Sequence, residues 1–86
     1  MNRDKILIAF DSTQQALRCE MLLEYADIEI DILPTPKEIT AGCALTIEFM
    51  QEVFSEVRTI VYSERVVIKG FFQWQNDCYI ELTKIE

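Results

Sequence analysis

The stretch ILIAFDSTQQ, residues 6–15, contains the two signals from which the fold can be worked outward. Residues 6–10 are a continuous apolar run, which is typical of a central strand covered on both faces or nearly so. Ser12 and Gln15 then form a capping box, in which polar side chains satisfy free amides at the start of a helix. The stretch therefore predicts a central strand followed by a helix that extends to about Ala26.

This helix carries two apolar faces. The first is expected to pack against the sheet and consists of Ala16, Cys19, Leu22, Leu23 and Ala26. Leu17, Met21 and Tyr25 follow one another at intervals of four residues and form a second stripe on another side of the helix. This second stripe either covers a loop or meets a partner.

Changes of period along the chain predict the remaining elements. Residues 28–32 alternate isoleucines with acids, as in a strand whose isoleucines point inward. Residues 45–49 predict a third strand, and a stripe from Met50 to Val61 predicts a second helix that ends near Tyr62. Two further strands are predicted at 66–74 and 78–85, with a turn at 75–77 between them.

This order predicts a single domain over residues 1–86 with a ferredoxin-like βαββαβ α+β sandwich and an additional C-terminal strand. Both helices would cover one face of the antiparallel sheet. A homodimer is one way to cover the other face, and the aromatic residues near the last hairpin are assigned to the core or to such an interface.

The charge balance excludes two classes of partner. The chain has 8 Lys and Arg against 15 Asp and Glu, no His, and a net charge of −7. This field repels nucleic acid and anionic lipid, and no apolar run is long enough to span a bilayer, so we expect no nucleic-acid and no membrane partner. Three cysteines form no disulfide framework and no signal peptide is visible, which favours the cytoplasm.

The residue types also exclude much catalytic chemistry. Without His there is no Ser-His-Asp triad, and two glycines cannot build a phosphate-binding loop. The cysteines are too far apart for zinc, and the acids Asp27, Glu29 and Asp31 have the alternation of a solvated strand face. We therefore expect no metal and no cofactor.

Residues 34–45, PTPKEITAGCAL, form the most informative segment. Thr35 as N-cap, Pro36 at the first helical position and Glu38 three residues after the cap predict a short helical turn. Gly42 is expected to end this turn in a left-handed conformation. The next residue is a cysteine at the junction with a strand.

The chain resembles the selenium/sulfur carrier-like family, a small bacterial domain with three motifs. These are Phe-x-Ser, then Ala-Leu-x-x-Glu, then Pro-x-Pro-Arg-Glu-Ile-x-x-Gly-Cys-Gly. The matching positions are Phe10, Ser12, Ala16, Leu17, Glu20, Pro34, Pro36, Glu38, Ile39, Gly42 and Cys43. Lys37 and Ala44 depart from the pattern, which has Arg and Gly there. The resemblance covers about residues 5–50.

The resemblance implies that Cys43 holds sulfur or selenium as a persulfide-type adduct. It also implies a protein partner such as a cysteine desulfurase or a selenophosphate-forming enzyme. Such a protein is a carrier without turnover of its own. Pro34, Thr35, Pro36, Glu38 and Gly42 would support the turn that presents the thiol.

A carrier thiol has to be accessible, which leads us to expect an exposed Cys43 that is alkylated before the other cysteines. Lys37, the only cation in the segment, would favour a charged sulfur, whereas the net charge of −7 opposes it. Cys19 lies on the packing face of the first helix and Cys78 alternates with Ile80 and Leu82 on the last strand, so both are expected to be structural.

The alternative is a non-catalytic acidic module for protein interaction or regulation. In it, Cys43 is a structural turn residue. The Leu17, Met21 and Tyr25 stripe or the aromatic hairpin then binds a protein.

Overall fold

The computed structural model describes residues 4–82, which form a five-stranded antiparallel sheet and two helices. The elements are β1 (Lys5–Ala9), α1 (Thr13–Tyr25), β2 (Ile30–Pro34), β3 (Leu45–Met50), α2 (Phe54–Ser63), β4 (Gly70–Gln75) and β5 (Cys78–Leu82), with a 3-10 turn at Gln51–Val53 before α2. The predicted α+β class is confirmed. Within residues 4–82, no helix has the length and apolar character needed to cross a membrane.

The sheet order is β2-β3-β1-β4-β5, and all neighbouring strands are antiparallel. Strand β1 is central, as its apolar run predicts, and its Ile8 pairs with Ile47 of β3 and Phe71 of β4. Each helix joins two strands that have another strand between them. The start of α1 therefore lies at the end of the central strand.

The main core lies between the sheet and both helices. It contains Ile6, Ile8 and Phe10 from the region of β1 and the fully buried Cys19 from α1. The other buried members are Ala16, Leu23, Cys43, Ile47, Phe49, Val57, Val61, Val66 and Phe71. The predicted packing face of α1 is thus largely correct, although Ala26 is exposed beyond the end of the helix.

A smaller cluster covers part of the opposite sheet face. It consists of Leu7 and Ala9 from β1 with Ile39 from the β2–β3 connection, and Ile39 is only 5% exposed. The connection therefore wraps around the sheet end: Ile39 packs on one face and Cys43 joins the core on the other.

Some predicted boundaries differ from the structure. Strand β2 begins at Ile30 instead of residue 28, and Ile32 is 40% exposed because β2 is an edge strand. Residues 66–69 are not in a strand, since the Val66 amide donates to the Val61 carbonyl at the end of α2. Residues 83–85 of the predicted fifth strand lie outside the described residues.

The turn between β4 and β5 is correctly predicted. Asn76 and Asp77 have φ values of 52° and 65°. Two consecutive positive φ values are typical of the two-residue hairpin turns that match the twist of antiparallel strands.

Candidate functional site

The β2–β3 connection is held against the junction between β1 and α1. The Cys43 amide donates to the Phe10 carbonyl at 3.0 Å. The Gly42 amide donates to Asp11 Oδ1 at 2.7 Å. Two stretches that are far apart in the sequence, around Phe10 and around Cys43, therefore form one site.

The Cys43 thiol lies at the start of α1. Its Sγ is 3.3 Å from Thr13 Oγ1 and accepts from the Leu45 amide at 3.4 Å. Ser12 caps the helix by accepting from the Gln15 amide. The sulfur is therefore held by a hydroxyl and an amide at the start of a helix.

The expectation that Cys43 is exposed is wrong, because its side chain is only 3% exposed. Cys43 comes two residues before Leu45 and four before Ile47, so these side chains share the sheet face that the helices cover. The cover is nevertheless thin, since the neighbouring Gly42, Ala44 and Thr13 are all exposed.

The predicted short helix is absent from the connection. Thr35 is not a helix cap: its Oγ1 donates to the Cys43 carbonyl at 3.0 Å and its amide donates to the Ala44 carbonyl at 2.8 Å. The antiparallel pairing of β2 with β3 thus continues beyond Pro34 to Thr35. The hydroxyl and amide of Thr35 are bonded to the residues before β3 and are not available to begin a helix. A single turn remains, closed by the Ile39 amide donating to the Pro36 carbonyl at 3.0 Å.

Gly42 is required for a different reason from the one predicted. Neither glycine has a positive φ, so the expected left-handed conformation is wrong. Instead, a Cβ at Gly42 would lie 2.8 Å from the backbone oxygen of Asp11. Only glycine allows the two chain segments to approach this closely.

Lys37 and Glu38 occupy the middle of the Pro36–Ile39 turn and are exposed. Within residues 4–82, no hydrogen bond or ion pair joins Lys37 to Cys43. The charge of Glu38 instead affects Tyr79. Burial raises the pKa of the Tyr79 phenol, and the negative charges of Glu38 and Glu48 raise this pKa further. Among the described residues, neither Lys37 nor Glu38 forms a hydrogen bond or ion pair with the sulfur.

Cys19 is fully buried, as predicted, but Cys78 is exposed on β5. Its Sγ makes only a 3.5 Å contact with the Gln75 carbonyl. The expectation of a structural Cys78 is wrong because β5 is an edge strand that the helices do not cover at this position.

The sequence interpretation missed Asp11 and Thr13, whose side chains contact Gly42 and Cys43. The Phe-x-Ser motif spans or adjoins both residues and is the signal that could have identified them. Its position at the strand–helix junction places it beside the Gly-Cys motif.

Other parts of the described chain do not extend this site. Among residues 4–82, no three Cys, Asp or Glu side chains converge to hold a metal ion. An open groove of about 700 Å³ lies between the end of α2 and β4, where Tyr62, Val67 and Lys69 line it. Cys43 does not contribute to that groove.

Comparison with known proteins identifies a family. Residues 5–73 match the profile of a family described as "Putative Se/S carrier protein-like", and this range includes both halves of the site. No curated protein and no solved structure matches the chain.

Proposed function

Because the chain belongs to the Se/S carrier-like family, we propose that Cys43 carries sulfur or selenium as a persulfide-type adduct and delivers it to an acceptor enzyme. The observation that supports this proposal most is the position of Cys43 Sγ at the N-terminus of α1, against Thr13 Oγ1 and the Leu45 amide. The transfer needs the sulfur as a thiolate, and these contacts hold the sulfur at one defined position.

The transfer itself is an exchange between thiol and persulfide. The Cys43 thiol loses its proton, and its thiolate attacks the outer sulfur of a persulfide on a donor enzyme. The donor S–S bond breaks, its electron pair leaves on the donor cysteine, and that thiolate takes up a proton. A new S–S bond forms at Cys43, so no external oxidant or reductant is consumed. Delivery to the acceptor follows the same chemistry.

Loading requires movement, since Cys43 is only 3% exposed. The segment that has to move is short, because Thr13 contacts the sulfur and the chain neighbours Gly42 and Ala44 are, like Thr13, exposed. Burial at rest protects the adduct from solvent and from other thiols. In this proposal the exposed Lys37 meets the partner or the adduct when the segment opens.

The test is mass spectrometry after incubation with a cysteine desulfurase and cysteine. It should be done on the Cys78→Ser variant, because the exposed Cys78 is a competing acceptor. We expect one added sulfur atom on Cys43 and none after Cys43→Ala in the same background. An adduct of equal yield in both variants, or none in either, would contradict the carrier function.

The alternative function is an acidic interaction module, and the burial of Cys43 within the main core favours it. In this case Cys43 contributes packing only. The same mass spectrum distinguishes the two functions, because a module gains no sulfur on Cys43.

For the architecture, we propose that β1 to β4 with the two helices are a ferredoxin-like unit and that β5 is an addition at its edge. The order β2-β3-β1-β4 and the two helical crossovers support this assignment. We also propose a cytoplasmic location, supported by three free cysteines that suit a reducing compartment.

A further inference from the structure

One face of α1 connects the sulfur site with an exposed apolar stripe. Thr13, Leu17, Met21 and Tyr25 follow one another at intervals of four residues, so they lie in a row along the helix. Thr13 Oγ1 is 3.3 Å from Cys43 Sγ. With a rise of about 1.5 Å per residue, the row extends ~18 Å along the axis away from the sulfur.

The apolar part of this row is exposed. Leu17, Met21 and Tyr25 are 52%, 65% and 92% exposed, which answers the question left open by the sequence, since no loop covers them among the described residues. We call these three residues the α1 stripe. Exposed apolar groups placed together are typical of interaction sites.

Within the described chain, the α1 stripe has unpaired acids on one side and a paired arginine on the other. Glu20 and Glu24 lie on one side of it, and neither forms a salt bridge within residues 4–82. On the other side, Arg18 is paired with Glu64: its Nη2 donates to the Glu64 carbonyl at 2.7 Å and lies 4.0 Å from Glu64 Oε1. The surface is thus an apolar stripe with an acidic border along one side.

We propose that the α1 stripe is the docking surface for the protein that loads Cys43, and that this partner presents an apolar contact bordered by Lys or Arg. The inference rests on the proposed carrier function. A partner that binds along this row reaches the N-terminus of α1, where Thr13 covers the sulfur.

Charge and area favour such a partner over a second copy of the chain. Two copies would bring their acidic borders together in addition to net charges of −7 each. Full burial of an aromatic side chain removes ~150–250 Å² of its surface from water. The three partly exposed side chains of the α1 stripe can therefore bury less than the ~800 Å² per partner that is typical of a stable complex. A small, complementary contact suits a partner that has to leave after transfer.

The experiment compares two sulfur donors in the Cys78→Ser background: a cysteine desulfurase with cysteine, and glutathione persulfide. Met21→Glu places a charge in the α1 stripe. Val67→Glu is the matched control, since Val67 is also 65% exposed but lies outside the stripe. Circular dichroism establishes that both variants are folded.

We expect Met21→Glu to slow loading of Cys43 by the desulfurase about tenfold or more, with loading by glutathione persulfide unchanged. Val67→Glu should leave both rates unchanged. Replacing Glu20 and Glu24 together by Gln should also slow the desulfurase and weaken the salt dependence of the rate.

Equal desulfurase rates for Met21→Glu and Val67→Glu would overturn the docking inference while the carrier function remains. Failure of both donors to load the parent protein would overturn the carrier function and the inference with it. A dimer of the parent protein that Met21→Glu dissociates, measured by sedimentation, would identify a second copy as the occupant and also overturn the inference.

Discussion

The three cysteines lie in three different environments, and the environment controls the reactivity of each thiol. Cys78 is exposed, Cys43 is 3% exposed beneath Thr13, and Cys19 is fully buried. Burial raises the pKa of Cys19 from 9.0 to about 12, and the charge of Arg18 offsets only part of this effect. Because the thiolate is the nucleophile, exposure and ionisation act together.

Iodoacetamide at pH 8 should therefore alkylate Cys78 first, Cys43 second and Cys19 last. Peptide mass spectrometry at increasing times measures the three rates. Cys78→Ser serves as the control and should leave the Cys43 rate unchanged. If Cys43 reacts faster than Cys78, the connection opens more readily than the resting structure indicates.

The two glycines allow a matched test of close approach. At Gly42 a new Cβ would lie 2.8 Å from the Asp11 backbone oxygen, whereas at Gly70 it would meet the movable end of the Glu81 side chain at 2.8 Å. Gly42→Ala should lower the free energy of unfolding by about 1–3 kcal/mol, and Gly70→Ala should have a smaller effect. Urea denaturation measures both, and equal effects would contradict the steric argument.

At the scale of elements, the β2–β3 connection depends on long-range hydrogen bonds instead of helical ones. Thr35 Oγ1 holds the Cys43 carbonyl, and Asp11 holds the Gly42 amide. Ile39 anchors the middle of the connection on the opposite sheet face. Loss of one of these contacts should loosen the connection without affecting α1 or α2.

Thr35→Val removes the hydroxyl while keeping the side-chain volume. The lost hydrogen bond contributes about 0.5–1.5 kcal/mol to holding the connection closed. Its loss should speed amide exchange of Ile39 and Cys43 about two- to tenfold and leave exchange in the helices unchanged. Hydrogen–deuterium exchange measures this change. The control is Thr59→Val, which removes the Thr59 bond to the Ser55 carbonyl within α2 and should leave the connection protected.

At the scale of the molecule, one sheet supports two unequal cores. The larger core, between the sheet and the helices, includes both Cys19 and Cys43. The smaller cluster is formed by Leu7, Ala9 and Ile39. Because Cys19 is fully buried in the larger core, its protonation is coupled to unfolding of the whole molecule.

This coupling predicts a loss of stability at alkaline pH. Below pH 9 both the folded and the unfolded state keep the Cys19 proton, so Cys19 contributes its full share to the free energy of unfolding. Between pH 9 and about 12 only the unfolded state loses it, and the free energy of unfolding falls as pH rises. Relative to Cys19→Ala, the parent protein should lose about 1.4 kcal/mol between pH 8 and pH 10 in urea denaturation. A difference that stays constant with pH would contradict the raised pKa.

The sequence by itself determined the features that depend on neighbouring residues. The apolar run at residues 6–10 predicts the central strand, and helical periodicity predicts both the burial of Cys19 and a separate α1 stripe. The family motifs also directed attention to Cys43.

Tertiary structure alone decided the surroundings of Cys43. Thr13 and Cys43 are 30 residues apart in the chain, and Asp11 and Gly42 are 31 apart, yet both pairs are in contact. These contacts exist because antiparallel pairing of β1 with β3 brings the start of α1 against the residues before β3. Local propensity favoured a short helix after Pro34, but the hairpin pairing and the burial of Ile39 provided stronger interactions for the same backbone.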